Sequence, residues 1–281
     1  MAPTDTALEA DWLGACRRAV DGLAGVLAAA PTTALRARET GTLGSGGDRT
    51  LEIDSAAESV VLHQLSGLHE SGLRFSAVSE ERGEVDFGGG PIRVIVDPID
   101  GSLNAKRDAC HYALSVAVAD GDTMADVGFA FVHDFGAGEQ WWARRGEGAW
   151  RDGVLLDPSL TERRTRDGRL EILGLESADP RLVRKSIDAL ADTAYRIRAL
   201  GTIAATLCQV AAARFDGMVT LRRSRGIDAA AGQLIVREAG GVVAFSDCAD
   251  PLGAPLDTAP SSFLVAARTP ETLAELERIP A

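Results

Sequence analysis

"VIVDPIDGSLNAKRD", residues 94–108, runs an apolar segment into two carboxylates, a proline, a glycine and a serine before it turns basic. The plain reading is a buried strand, an Asp-Gly turn and a short helix capped by Asp100 or Ser102, because these residue types are favoured at such junctions. The same residues also suit a metal and phosphate site, with Asp97 and Asp100 at the strand end. Partners elsewhere in the chain must decide between the two.

The 281 residues carry a net charge of −12, with 46% hydrophobic and 25% charged residues. Such fractions are ordinary for a folded chain with a sizeable core. The acidic balance argues against a nucleic-acid backbone or an anionic membrane as partner, and an anionic substrate would need cations to mediate. Cys16, Cys110, Cys208 and Cys248 are far apart, without a C-x-x-C pair. They are expected as buried, reduced thiols rather than a zinc motif or a disulfide framework. The acidic start "MAPTDTALEADW" is unlike a signal peptide, and no apolar run reaches ~18 residues, so a cytoplasmic protein is expected.

Working outward, Leu8, Trp12, Ala15, Ala19, Leu23 and Val26 recur at helical spacing within residues 7–29. A Gly-rich loop, "GTLGSGGDRT", precedes a second helix in which Ser55 and Glu58 have the S-x-x-E spacing of a capping box. The runs "LRFSAVS", "IRVIV", "YALSVAVA" and "VGFAFVH" predict strands, and "EQWWARRGEGAWRDGVLL" a hairpin with a closing strand. After about residue 160 strand and helix alternate, as in "LEILGLE", "PRLVRKSIDALAD", "TIAATLCQVAAARF" and "DAAAGQLIVREAGG". This predicts two closely packed halves, 1–160 of α+β type and 161–281 of α/β type, with a soft boundary between 150 and 165.

Further acids fall at element ends. Asp54 opens a helix in "RTLEIDSAAE", Asp228 opens another in "SRGIDAAAG", and "SAVSEERGE" ends a strand on Glu80 and Glu81. Adjacent strand side chains point to opposite faces, so one of Glu80 and Glu81 is expected to reach a common site. Each acid alone also reads as a cap or a solvated turn charge. Together they offer the oxygen-rich donor set that Mg²⁺ demands, and clustered carboxylates repel one another without a cation.

"VSEE", "DPIDGSLN" and "IDAAAGQLIVREAGG", in this order and spacing, resemble the signature segments of the inositol monophosphatase family of Mg²⁺-dependent phosphatases. The likeness extends through "GDRTLEID" and "LGTIAATLCQVAAARFDG". It implies a layered αβαβα sandwich of the sugar phosphatase type, α+β to α/β in class. It implies that Glu80, Asp97, the Ile99 carbonyl, Asp100 and Asp228 ligate two or three Mg²⁺ ions, with Mn²⁺ as a substitute. Ser102, paired with Asp54, would work with Glu80 to orient and deprotonate the attacking water, and the N–H groups of Gly101 and Ser102 would bind phosphate. The implied substrate is a small phosphorylated polyol or sugar, and the implied assembly is a homodimer.

The chain also departs from the family pattern. Ile227 stands where the usual segment has Trp, which is expected to relax helix packing and resembles archaeal-type members acting on both inositol monophosphate and fructose 1,6-bisphosphate. Leu221 and Arg222 occupy a region where inositol-type members carry a Glu for substrate hydroxyls. Arg222, Arg223 and Arg225 read either as solvated charges or as a grip on a second phosphate, Arg222 and Arg225 being the candidates, with Arg196 and Arg198 as possible neighbours. Lys106 and Arg107 read as a helix face. "GSGGDRT" lacks the context of a nucleotide-binding loop and is expected instead as a flap near Asp48 and Asp54. Other superfamily substrates, namely 3′-phosphoadenosine 5′-phosphate, histidinol phosphate and NADP, stay as alternatives, as does a non-catalytic phosphoester-binding module.

Overall fold

The computed structural model describes residues 7–45, 47 and 49–279. Helix α1 (Trp12–Ala29) starts later than the periodicity suggests, because Asp11 caps it by accepting the Gly14 N–H at 2.9 Å. Its buried stripe ends on Leu27 rather than the predicted Val26. After the short α2 (Thr33–Arg36), the segment predicted as a Gly-rich loop is flanked by an antiparallel pair, β1 (Glu39–Leu43) and β2 (Arg49–Leu51). The proposed flap residue Asp48 lies outside the described residues. Helix α3 (Glu52–Glu70) begins before the predicted capping box, with Leu51 as N-cap and no side-chain cap bond. Glu58 is therefore free for another task.

Strands β3 (Phe75–Ser79), β4 (Gly83–Asp100), β5 (Ala113–Ala119), β6 (Val127–Asp134), β7 (Glu139–Arg144), β8 (Gly148–Arg151) and β9 (Val154–Leu155) follow in the order of one seven-stranded sheet. Helix α4 (Ser102–Arg107) interrupts them after β4. The predicted strand at 92–96 is the second half of β4. Its first half folds back along the other edge of β3, so that Ser79 aligns with both Gly83 and Val96. A second sheet has the order β11-β10-β12-β16-β14 and is built from β10 (Leu170–Glu176), β11 (Ala194–Arg198), β12 (Gly217–Thr220), β14 (Val242–Phe245) and β16 (Leu264–Ala267). A small antiparallel pair, β13 (Ser224–Arg225) and β15 (Pro260–Ser262), lies beside it. The helices of this half are α5 (Pro180–Thr193), α6 (Ile203–Ala211), α7 (Gly226–Glu238) and α8 (Pro270–Leu276).

Apolar side chains separate into three cores that define alternating helix and sheet layers. Val94 and Val96 of β4 join Trp12, Leu23, Val61 and Leu65 of α1 and α3. Ile95, between them on the opposite face, joins Leu207 of α6 and Leu234 of α7 in the central core. That alternation is why residues 94–96 of β4 form an unbroken apolar run: a strand segment covered on both faces has no polar side to show. The far face of the second sheet packs Leu173, Val219 and Val265 against Leu190 of α5 and Leu276 of α8. Ile227 is 1% exposed and belongs to the central core, so it fills the helix packing rather than relaxing it. Gly232 lets α6 and α7 approach, since a Cβ there would stand 2.6 Å from Leu207 Cδ1. Backbone bonds also tie the β5–β6 connection to the β14–β15 connection, from Met124 N–H to the Ala254 carbonyl at 3.0 Å and from Leu256 N–H to the Asp122 carbonyl at 3.0 Å.

All four cysteines are free, but burial holds for Cys16 and Cys208 alone; Cys248 is half-buried and Cys110 exposed. Among the described residues, no helix is long and apolar enough to cross a membrane.

Candidate active site

Asp97 and Asp100 stand three residues apart and would point to opposite faces of a regular strand. Asp97 aligns with Ser115 and Asp100 with Ala113, so β4 gains one residue on its partner and bulges at Pro98 and Ile99. The bulge turns both acids into one site, and the Ile99 N–H donates to Asp97 Oδ1 at 3.0 Å. Asp100 Oδ2 accepts from the Thr202 hydroxyl at 2.5 Å and from the Ala204 N–H at 2.7 Å, which anchors it to the start of α6. Gly101, with φ of +91°, makes the turn into α4; a Cβ there would lie 3.0 Å from the Gly201 carbonyl oxygen.

Asp228 comes from the first turn of α7 and Asp54 from the first turn of α3. Glu80 comes from the turn after β3. Arg225 joins two of these elements: its Nη1 donates to Glu80 Oε1 at 2.6 Å and its Nη2 to Asp228 Oδ1 at 2.7 Å, while its Nε lies 3.1 Å from both Asp228 oxygens. Burial pushes the Asp97 carboxyl well above the usual carboxylate range, aided by the charges of Glu80, Asp100 and Asp228. Burial and the charge of Asp228 push Asp100 up to about 8 against its two hydrogen bonds. Asp54 is pushed up to about 7 by burial and by Glu81 and Glu80. These are the signatures of acids gathered from separate elements into one poorly hydrated place.

Ser102 Oγ donates to the Ile99 carbonyl at 2.9 Å, whereas Asp54 Oδ1 is buried without a hydrogen-bond partner. The expected pairing of Asp54 with the Ser102 hydroxyl is thus not formed, because the tight turn at Gly101 holds that hydroxyl over the Ile99 carbonyl. Both Glu80 and Glu81 lie at the cluster, since they sit in the turn beyond the strand, where alternation no longer applies. Glu81 takes the Thr50 hydroxyl, and its charge is the largest electrostatic influence on Asp54.

The sequence reading missed Glu58 and Glu176. Glu58 is 1% exposed; it accepts the Ser79 hydroxyl, the Glu81 N–H at 3.2 Å and the Arg82 N–H at 3.0 Å, and pairs with Arg82 Nε at 3.0 Å. It therefore holds the turn that aims Glu80. Glu176 accepts from Leu200 N–H, Gly201 N–H and the Thr206 hydroxyl, and burial pushes it up to about 7. It lines a cavity of about 370 Å³ with Asp100, Asn104, Ser177 and Thr202. A signal for Glu176 was present: it ends a strand otherwise rich in Leu and Ile.

The arginines do not form one patch. Arg222 pairs with Asp179 at 2.7 Å and Arg223 with Asp247 at 3.1 Å, both half exposed or more. Arg225 faces the carboxylates instead of open space. Arg196 stacks on Tyr195 at 3.8 Å, and Arg198 donates to the Ile197 carbonyl, so neither joins Arg222.

Among the described residues, no three His, Cys, Asp or Glu side chains stand in a geometry ready to hold a metal ion. Arg225 stands between Glu80 and Asp228, and Asp100 is bonded to Thr202 and Ala204. The donor chemistry nevertheless fits a hard divalent cation: the groups are carboxylates and a carbonyl, buried and mutually repelling, and Asp97 Oδ2, like Asp54 Oδ1, lacks a partner.

Residues 14–280 match the inositol monophosphatase family. The chain belongs to that family. Membership supports phosphatase activity. A fructose-1,6-bisphosphatase/inositol-1-monophosphatase of Methanothermobacter thermautotrophicus is 34% identical over 212 residues, covering 72% of each chain. The Nus factor SuhB of Escherichia coli is 32% identical over 204 residues, covering 70% of this chain and 71% of its own. A crystal structure described as an inositol monophosphatase–fructose 1,6-bisphosphatase superposes with a TM-score of 0.79 at 20% identity, over 95% of this chain and 99% of its own, which bears out the layered fold expected for the inositol monophosphatase family.

Proposed function

We propose that this chain is a divalent-metal-dependent phosphomonoesterase, with Mg²⁺ as its ion, acting on small phosphorylated polyols or sugars of the inositol 1-phosphate and fructose 1,6-bisphosphate kind. One observation carries the proposal: buried carboxylates from β4 and α7 and a half-buried one from the turn after β3 converge at the bulged end of β4. Such a set has little use in an acidic chain unless a cation and an anion meet there.

Glu80, Asp97, the Ile99 carbonyl, Asp100 and Asp228 would hold the metal. When bound, it would acidify water and offset phosphate charge. Ser102 stands at the start of α4, where its hydroxyl would orient a water against phosphorus. Asp54, buried beside Glu80 and Glu81 with one oxygen left without a partner, would serve as a proton acceptor for that water. Gly101 brings the backbone of α4 close enough for its N–H groups to meet phosphate oxygens.

For substrate size, Ser177 lines two cavities. One contains Asp100 and Glu176, and the other, about 600 Å³, contains Asp179, Arg181 and Arg222. A bisphosphate reacting near Asp100 would extend past Ser177 toward Arg222. The relatives called Nus factors bear the name of a different role; the convergence of the acids in this chain supports the hydrolytic reading. A homodimer belongs to the same proposal.

Phosphate release from a panel of phosphomonoesters, with Mg²⁺ and then with EDTA, tests the whole. Turnover of inositol 1-phosphate or fructose 1,6-bisphosphate that is lost in EDTA and restored by Mg²⁺ is expected. Undiminished turnover after exhaustive chelation would overturn it.

A further inference from the structure

Three arginines lie between β12 and α7, and they differ in where their charge goes. Arg222 and Arg223 keep 59% and 55% of their side chains exposed, against 19% for Arg225. Arg225 uses Nε, Nη1 and Nη2 at once, bridging Glu80 from one half of the chain and Asp228 from the other. Its backbone is pinned on both sides. Ser224 pairs with Ser262 and donates its hydroxyl to the Ser262 carbonyl at 3.1 Å, and a Cβ on Gly226 would lie 2.2 Å from the Pro255 carbonyl oxygen. With the main chain held this way, a change of side-chain rotamer is the direct way to withdraw the guanidinium.

Resting on the metal-centre reading, we propose that Arg225 is a built-in counter-ion of that centre, competing with the divalent cation for the oxygens of Glu80 and Asp228. A divalent ion within ligand distance of those oxygens would stand a few ångströms from a fixed positive charge in a poorly hydrated place, and the repulsion would be large. Occupation by metal therefore expels the guanidinium, and the guanidinium in turn weakens the metal. In exchange, the metal-free chain keeps its two halves joined at the point where like charges would otherwise drive them apart. The single positive charge does not saturate the cluster, since Asp97 Oδ2 stays without a partner. Room for further positive charge thus persists beside it.

The test is Mn²⁺ binding to the purified chain, followed by electron paramagnetic resonance, together with thermal melting in EDTA. Wild type and Asp100→Asn calibrate the centre: Mn²⁺ binding that is absent in wild type, or indifferent to Asp100→Asn, overturns the metal-centre reading and the inference with it. With the centre calibrated, Arg225→Gln should bind Mn²⁺ about 10- to 100-fold more tightly, because a charge-assisted competitor is removed. In EDTA the same variant should melt several degrees lower than wild type. Arg225→Lys, which keeps the charge but not the fork, should fall between the two in both measurements and supplies the affinity if Arg225→Gln does not fold without metal. Unchanged or weaker Mn²⁺ binding in the variants, or an unchanged melting temperature in EDTA, would overturn the role of Arg225 while leaving the centre intact.

Discussion

The buried carboxylate of Glu58, in the middle of α3, accepts the backbone N–H of Arg82 at 3.0 Å and so fixes the turn on which Glu80 is mounted. Replacement by Ala would orphan the Ser79 hydroxyl and the N–H groups of Glu81 and Arg82. Each buried donor left unpaired costs ~1–3 kcal/mol. Glu58→Ala should therefore lose about 3 kcal/mol in urea unfolding and most of its turnover, although Glu58 touches no substrate. Glu58→Gln keeps an acceptor for the turn and should recover much of both.

Under the proposed mechanism, a change at Ser102 separates water positioning from metal holding. Its hydroxyl makes a half-buried bond to the Ile99 carbonyl at 2.9 Å, so Ser102→Ala should cost about 1 kcal/mol of stability. Loss of a group that orients the attacking water should lower turnover about 10²-fold or more. Steady-state kinetics beside a melting curve checks this, and wild-type turnover in the variant would place water activation on other residues.

Glu176 predicts a pH dependence of stability. Its folded pKa, pushed to about 7 by burial, lies above the ordinary glutamate value, so the fold favours the protonated form. Its contribution is complete below about pH 4.5 and is lost as pH rises toward 7, by of order 3 kcal/mol. Glu176→Gln should remove that slope. Urea midpoints of wild type and variant at pH 5 and pH 8 give the difference, and a constant gap between the two proteins would contradict the prediction.

Arg222 tests substrate size. Its pairing with Asp179 is exposed and easily exchanged for a phosphate, since surface ion pairs contribute little. Arg222→Ala should lower kcat/KM for fructose 1,6-bisphosphate about tenfold and leave inositol 1-phosphate within about twofold. Equal losses on both substrates would remove Arg222 from recognition of a second phosphate.

Much of the site was legible because "DPIDG" couples an apolar run to acids across a proline, and a strand buried on both faces has few other reasons to end that way. What escaped depends on contacts between distant segments. Glu58 satisfies the spacing of a capping box as well as its actual role, and the choice is made by a turn more than twenty residues away. The first half of β4, "GEVDFGGG", carries little strand signal because glycine lowers strand propensity, yet glycines with positive φ at 88, 89 and 90 are what let β4 fold around β3. Three arginines within four positions carry equal charge in sequence. Their different fates are set by which acids the neighbouring elements bring within reach.

The layered order of the chain bears on how it reaches its native state. Glu80, Asp97 and Asp100 belong to the first sheet and its turns, while Asp228 rides on a helix sandwiched between both sheets. The cluster is therefore complete after the central layer has closed, a step that depends on contacts remote in sequence and is intrinsically slow. Recovery of catalytic competence on dilution from denaturant should lag behind recovery of helical circular dichroism, which makes enzymatic turnover a clock for the last stage of folding.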